Sequence, residues 1–232
     1  MSARFEDSVV EQSFIAVVAG STGATGRWIV SELINSSECT KVIALTRGEI
    51  ENPGEVFSNA NAENLQAKLT VQKVDWKQLQ SSETLPNTVT ESPTIAFCAM
   101  GSAPYSEESD YILPVAFAKA CRGSQIHSMF LVSASTAKAG SWLGYNDTLG
   151  RREETFKDLG FNRLGIYRPG MMDRQEKRRT KELIGAILPG FLKIDTKDIA
   201  KTMMASALRM KPGVHYFSHS EMKEFAKTGQ TL

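Results

Sequence analysis

The sequence predicts an α/β fold: a doubly wound, mostly parallel sheet with helices on both faces and a small C-terminal extension on the substrate side. Short apolar runs alternate with stretches of helical periodicity along the whole chain, the signature of such a sheet. The leading run, Phe14-Ile-Ala-Val-Val-Ala19, carries no polar alternation, as expected of a strand buried on both faces. A glycine cluster stands where that strand turns into the first helix. The 232 residues, 41% of them hydrophobic, suffice for one domain spanning 1–232, and no second domain is required.

After the strand at Phe14 to Ala19 comes Gly20-Ser21-Thr22-Gly23-Ala24-Thr25-Gly26, and then Ile29, Val30, Leu33 and Ile34 recur at helical spacing across residues 27–35. Further strands are read at Lys41 to Thr46, Leu69 to Val74, Thr94 to Met100, Ser128 to Ser133 and Arg163 to Tyr167. Helices are read at 110–122 and 146–159, the first with Pro114 in its opening turn if Asp110 is the N-cap. Residues 48–64, with Asn52-Pro-Gly54, and 81–93, with Pro86 and Pro93, read as surface connections. Thr196 to Leu208 has the helical apolar set Ile199, Met203 and Leu208, and a short strand follows at Val214 to Phe217. A last helix starts near 219, where Ser218 and Glu221 have capping-box spacing.

A net charge of +1 gives no global argument for a nucleic-acid or anionic-membrane partner. Residues 1–13 carry Arg4, Glu6, Asp7 and Glu11 without the apolar core of a signal peptide, and no stretch approaches the roughly 20 apolar residues of a membrane span. A soluble cytoplasmic protein is therefore expected. Cys39, Cys98 and Cys121 lack metal-ligand spacing and read as reduced packing residues. His215 and His219 have the spacing of a helical metal pair but fall on a strand pattern, so no metal is expected, and His127 reads as a loop residue.

At the first strand-helix junction the glycines let backbone approach a pyrophosphate, and the free N–H groups and positive end of the helix favour its charge. Gly20, Ser21, Thr22, Gly23, Ala24, Thr25 and Gly26 thus read as a dinucleotide-binding turn. The second strand ends beside the adenosine ribose, where an acid would bind a free 2′-hydroxyl. Arg47 stands there instead and favours the 2′-phosphate of NADP(H) through charge-assisted bonds. Asp75 is placed to meet the adenine amino group, and Ala99-Met100-Gly101 to border the middle of the cofactor.

These residues, with Val74-Asp75-Trp76, Phe97-Cys-x-Met-Gly101, Asp110-Tyr-Ile-Leu113, Ala118-Lys-Ala120, Tyr167-Arg168-Pro169-Gly170 and Asp173-Arg-Gln-Glu176, make the chain resemble the atypical short-chain dehydrogenase/reductases. Within them it is most similar to the HIV Tat-interactive protein family. The resemblance runs from residue 20 to 176 and implies a Rossmann fold with bound NADP(H), in a family discussed as regulatory as much as oxidoreductive. It also sets Tyr145, Arg168 and Pro169 against the cofactor.

That superfamily's chemistry uses Ser, Tyr and Lys, the lysine four residues after the tyrosine lowering its pKa and holding the nicotinamide ribose. Ser135, with Ser133 as fallback, and Tyr145 match the first two, but Leu149 occupies the lysine position. An isobutyl group supplies neither charge nor a hydrogen bond. Arg152, a turn further along the stripe, and Lys138, in the preceding loop, are the candidate replacement cations. The connection Ser102 to Glu108 is shorter than in the resembled family. Arg174, Lys177, Arg178, Arg179 and Lys181 form a basic cluster, read as a solvated face or as a site for an acidic substrate, phosphorylated lipid head group or acidic protein. Two functions follow: an NADP(H)-gated regulatory or binding protein, or an NADP-dependent oxidoreductase acting on a small carbonyl substrate through Tyr145 and Ser135.

Overall fold

The computed structural model describes residues 13–86, 93–173 and 193–229. Its strands, in chain order, are β1 (Phe14–Ala19), β2 (Cys39–Thr46), β3 (Leu69–Lys73), β4 (Thr94–Cys98), β5 (Ser128–Val132), β6 (Arg163–Arg168), β7 (Met171–Asp173), β8 (Lys193–Asp195) and β9 (Gly213–Ser218). Seven of them form one sheet in the order β3-β2-β1-β4-β5-β6-β9, while β7 and β8 pair separately. Every pairing is parallel. The order reverses between β1 and β4, which opens a crevice at the C-terminal ends of these two strands.

The helices are α1 (Gly26–Asn35), α2 (Pro53–Val56), α3 (Ala62–Lys68), α4 (Trp76–Ser82), α5 (Leu113–Gly123), α6 (Gly144–Asp158), α7 (Thr196–Arg209) and α8 (His219–Thr228). Two cores result, one on each face of the sheet. On one face Ile29, Leu33 and Ile34 of α1 pack with Ile199 and Met203 of α7 and Met222 of α8. On the other, Leu113, Phe117 and Cys121 of α5 pack with Leu79 of α4 and Phe156 of α6. Each fully buried Leu, Ile or Phe side chain contributes roughly 1.5–3 kcal/mol. β1 is buried at every position between the two cores, which explains its uninterrupted apolar sequence.

The predicted fold class holds, with differences that have local causes. The expected surface connection at 48–64 holds α2, with Pro53 in its first turn, and the start of α3, where the Asn61 side chain accepts from Asn64 N–H. The start of the connection read at 81–93 belongs to α4. Asp110 does not cap its helix. It lies within a π-helical turn, Glu108–Ile112, that leads into α5, and its carboxylate accepts from the backbone N–H groups of Ser102 and Ser106 and from the Ser102 hydroxyl. It therefore fixes the short connection after β4 rather than the start of the helix. The C-terminal strand is longer than predicted and joins the main sheet beside β6. The capping box at Ser218 and Glu221 is present.

Candidate functional site

Two adjoining cavities lie in the crevice, and the backbone of the glycine turn makes them possible. Gly20 has φ of +76°, and a Cβ there would stand 2.6 Å from Ala99 O; at Gly26 it would stand 2.0 Å from Gly20 O. Only glycine permits this close layering of turn, helix and the loop after β4. Ser21 fastens the turn to β2 by donating its hydroxyl to Leu45 O at 3.0 Å. The first turn of α1 carries no side-chain cap, and its Arg27 and Trp28 N–H groups bond Gly23 O and Thr25 O, so what it offers the crevice is the positive end of the helix.

The smaller cavity, about 140 Å³, is lined by Gly20, Thr22, Thr46, Arg47 and Trp76 among others. Arg47 is exposed, and among the described residues no carboxylate pairs with it. Asp75 lies outside this cavity: its carboxylate accepts from Lys77 and Gln78 N–H and so caps α4. That duty gives a local reason for an acid at 75, separate from any adenine contact.

The larger cavity, about 320 Å³, shares Gly23, Ala99, Met100 and Gly101 with the first and extends to Ala24, Thr25, Ser133, Tyr145, Leu149 and Arg152. Tyr145 is half-exposed and its ring meets Tyr105 edge-on at 6.0 Å. Leu149 is buried in the lining of this cavity. Arg152, only 2% exposed, donates to Met100 O, Asp110 O and Val132 O, and its Nε has no partner. The other candidate cation, Lys138, is exposed and lines neither cavity.

Ser133, not Ser135, lines this cleft. Both serines lie past the end of β5 and bond the neighbouring segment, Ser133 N–H to Tyr167 O and Ser135 N–H to Pro169 O, but Ser133 is buried and Ser135 exposed. The Ser133 hydroxyl donates at 2.5 Å to Glu153, a buried carboxylate that also takes both arms of the Arg168 guanidinium. Arg168 in turn stacks over Tyr216 at 4.5 Å. Arg168 and Pro169 thus stand behind the cleft wall rather than in either cavity. Glu153 escaped the sequence reading, although its place beside Arg152 on the stripe of Leu149 and Phe156 signalled burial.

A strap of side chains ties α6 to the segment after β4: Arg151 bonds Glu107 and Asp147, while the Tyr105 hydroxyl reaches Glu107 and Thr148. Away from the crevice, burial pushes the Cys39 thiol up to about 11 and raises Cys98 and Cys121 as well, so the thiols are held protonated in the core. His215 bonds Lys211 O, His219 accepts from Gly170 N–H, and His127 meets Arg122 at 2.7 Å. Among the described residues no cluster of His, Cys, Asp and Glu has metal-binding geometry. The basic cluster at Arg174, Lys177, Arg178, Arg179 and Lys181 lies outside the described residues.

No protein-family model matches the chain. It is 28% identical over 175 residues to "Protein fmp52, mitochondrial" of Emericella nidulans, covering 75% of this chain and 73% of that one. It is also 28% identical over 172 residues to Protein HTATIP2 of Rattus norvegicus, covering 69% and 64% of the two chains. Among solved structures, the UDP-glucose 4-epimerase from Bifidobacterium longum in complex with NAD+ and UDP superposes with a TM-score of 0.65 at 12% identity, over 89% of this chain and 77% of the other. The PhqB reductase domain from Penicillium fellutanum gives a TM-score of 0.65 at 15% identity, over 95% and 71%. The chain is therefore similar to the atypical short-chain dehydrogenase/reductases of the Tat-interactive protein kind, on a Rossmann-like fold. The cytoplasmic location expected from the sequence is corrected by these relatives, several of which are named mitochondrial. No helix among the described residues is long and apolar enough to cross a membrane.

Proposed function

We propose that the chain binds NADP(H) across the two cavities and acts as a cofactor-gated regulatory or binding protein. The observation that carries the reading is Leu149, buried in the cleft beside Tyr145 where the superfamily's chemistry needs a lysine. The glycine turn and the positive end of α1 suit a pyrophosphate, and Arg47, with no carboxylate partner among the described residues, suits a 2′-phosphate. The NAD bound in the epimerase of similar fold adds support for a nicotinamide dinucleotide. Such a cofactor would supply hydride chemistry. This chain's own residues would bind and orient it: Gly20 to Gly26 at the pyrophosphate, Ala99 to Gly101 at its middle, and Tyr145 at the open end of the cleft.

Without a neighbouring ammonium, a tyrosine hydroxyl is a weak proton donor at neutral pH. Arg152 does not replace the lysine simply, because its guanidinium is committed to three carbonyl oxygens. A second reading, an NADP-dependent oxidoreductase for small carbonyl compounds, is favoured by Tyr145 lining the same cleft as the glycine turn. Of its two candidate serines only Ser133 lines the cleft with Tyr145, and the Ser133 hydroxyl is already donated to Glu153, which weighs against this reading. NADPH oxidation with a panel of aldehydes and ketones separates the readings. The regulatory reading predicts no turnover above background for the natural chain or for Leu149→Lys. Turnover by the natural chain contradicts it, and turnover by Leu149→Lys alone would mean that the lysine was the only missing part.

A further inference from the structure

The wall of the cleft carries a hydroxyl whose proton is already spent. Ser133 is 5% exposed and lines the larger cavity, yet its Oγ–H points away from the cavity to Glu153 at 2.5 Å. Glu153 receives Arg168 at both oxygens, through Nε to Oε1 at 3.0 Å and through Nη2 to Oε2. A carboxylate holding both arms of a guanidinium is ionised and only accepts. The direction of the Ser133 bond is therefore fixed: serine donates and glutamate accepts. What Ser133 retains for the cavity is a pair of lone pairs.

Neighbouring hydroxyls are turned the same way. Thr25 donates to Met172 Sδ at 3.9 Å, and Ser102 donates to Asp110 at 2.6 Å. A ligand that presents a carbonyl oxygen to Ser133 meets oxygen against oxygen, which leaves both unsatisfied. One that presents N–H or O–H is met correctly.

We propose that Ser133 is a hydrogen-bond acceptor in ligand recognition, and that the donor it receives is the carboxamide N–H of a bound nicotinamide. The assignment rests on the dinucleotide reading above. With the adenosine end at Arg47 and the pyrophosphate at the glycine turn, the shared lining of Gly23 and Ala99 to Gly101 leads the nicotinamide half into the cavity that Ser133 lines. The same geometry removes Ser133 as the group that would polarise a substrate carbonyl. Loss of carbonyl chemistry in this cleft then has two separate causes, Leu149 and the Ser133 to Glu153 bond.

The test is calorimetric titration of the full chain with NADP+ and with its 3-acetylpyridine analogue, in which a methyl ketone replaces the carboxamide and no N–H remains. The natural chain is expected to bind NADP+ about tenfold more tightly, the scale of one hydrogen bond gained over an unsatisfied pair. Ser133→Ala is expected to close that gap by weakening NADP+ alone. Equal binding of the two nucleotides by the natural chain overturns the proposal, and so does a Ser133→Ala chain that keeps the gap. If Ser133→Ala fails to fold, Ser133→Cys, with a poor acceptor of similar size, takes its place. Binding of neither nucleotide by a folded natural chain overturns the dinucleotide reading, and this assignment with it.

Discussion

The two cavities are built by different means. The one at Arg47 is shaped largely by backbone: Gly20 and Gly26 are glycines because a Cβ would strike Ala99 O or Gly20 O. The one at Ser133 and Tyr145 is shaped by side chains from β5 and α6 and by the loop after β4, with bonds that span 15 to 52 residues of sequence. Backbone sites depend on a short motif and tolerate drift elsewhere. Side-chain sites depend on partners, so a single substitution can change their chemistry while the fold persists.

Breaking the first region should have the largest effect. Gly26→Ala places a methyl 2.0 Å from Gly20 O, so the turn must move; an overpacking cost of about 3 kcal/mol and loss of all nucleotide binding are expected. Thermal melting and calorimetry on the same sample check both. In the second region, Glu153→Leu leaves Arg168 without its carboxylate and Ser133 without its acceptor. Removing one partner of a buried pair costs about 3 kcal/mol at the lower end of the usual range, and here the low end applies because Arg168 is 35% exposed. A fall in Tm of about 6–12 °C follows for a chain of this size. Unchanged melting would mean that the pair does not hold the wall.

The smallest effect belongs to the strap between α6 and the segment after β4. Hydrogen bonds, first from Arg151 and then from Tyr105, hold the Glu107 carboxyl below its ordinary value of 4.5. An acid whose folded pKa is depressed contributes stability above its unfolded value and loses it as pH falls through the folded value. The strap should thus be intact at neutral pH and loosen only below about 4.5. Because the pair is 40% and 43% exposed, the loss is small. Comparing Tm against pH for the natural chain and Arg151→Met checks it, the two curves converging in acid.

The same contrast decides what the sequence could disclose. Glycines after an apolar run announce a close backbone approach, so the tight layering of the turn against Ala99 was readable. Tyr145 was readable by its offset from the end of β5. The choice between Ser135 and Ser133 was not legible, because both lie past the end of β5 and bond the following neighbour, through Tyr167 O and Pro169 O, while only Ser133 lines the larger cavity. Arg152 was read as a candidate replacement cation on the stripe of Tyr145 and Leu149. Its burial follows from the shared stripe with Leu149 and Phe156, and its partners are carbonyl oxygens that leave no trace in residue identities. The short helices at Pro53 and Ala62 were hidden by turn-forming residues that serve equally as first-turn and capping residues.

The most direct test of the account is titration of the purified chain with NADPH and with NADH, repeated on Arg47→Ala. The account predicts tight binding of NADPH, weaker binding of NADH, and a loss of about 10- to 100-fold for NADPH alone when Arg47 is removed, the scale of charge-assisted bonds to a phosphate. Failure of a folded chain to bind either nucleotide would contradict it, leaving a Rossmann-like scaffold whose role lies in protein contacts alone.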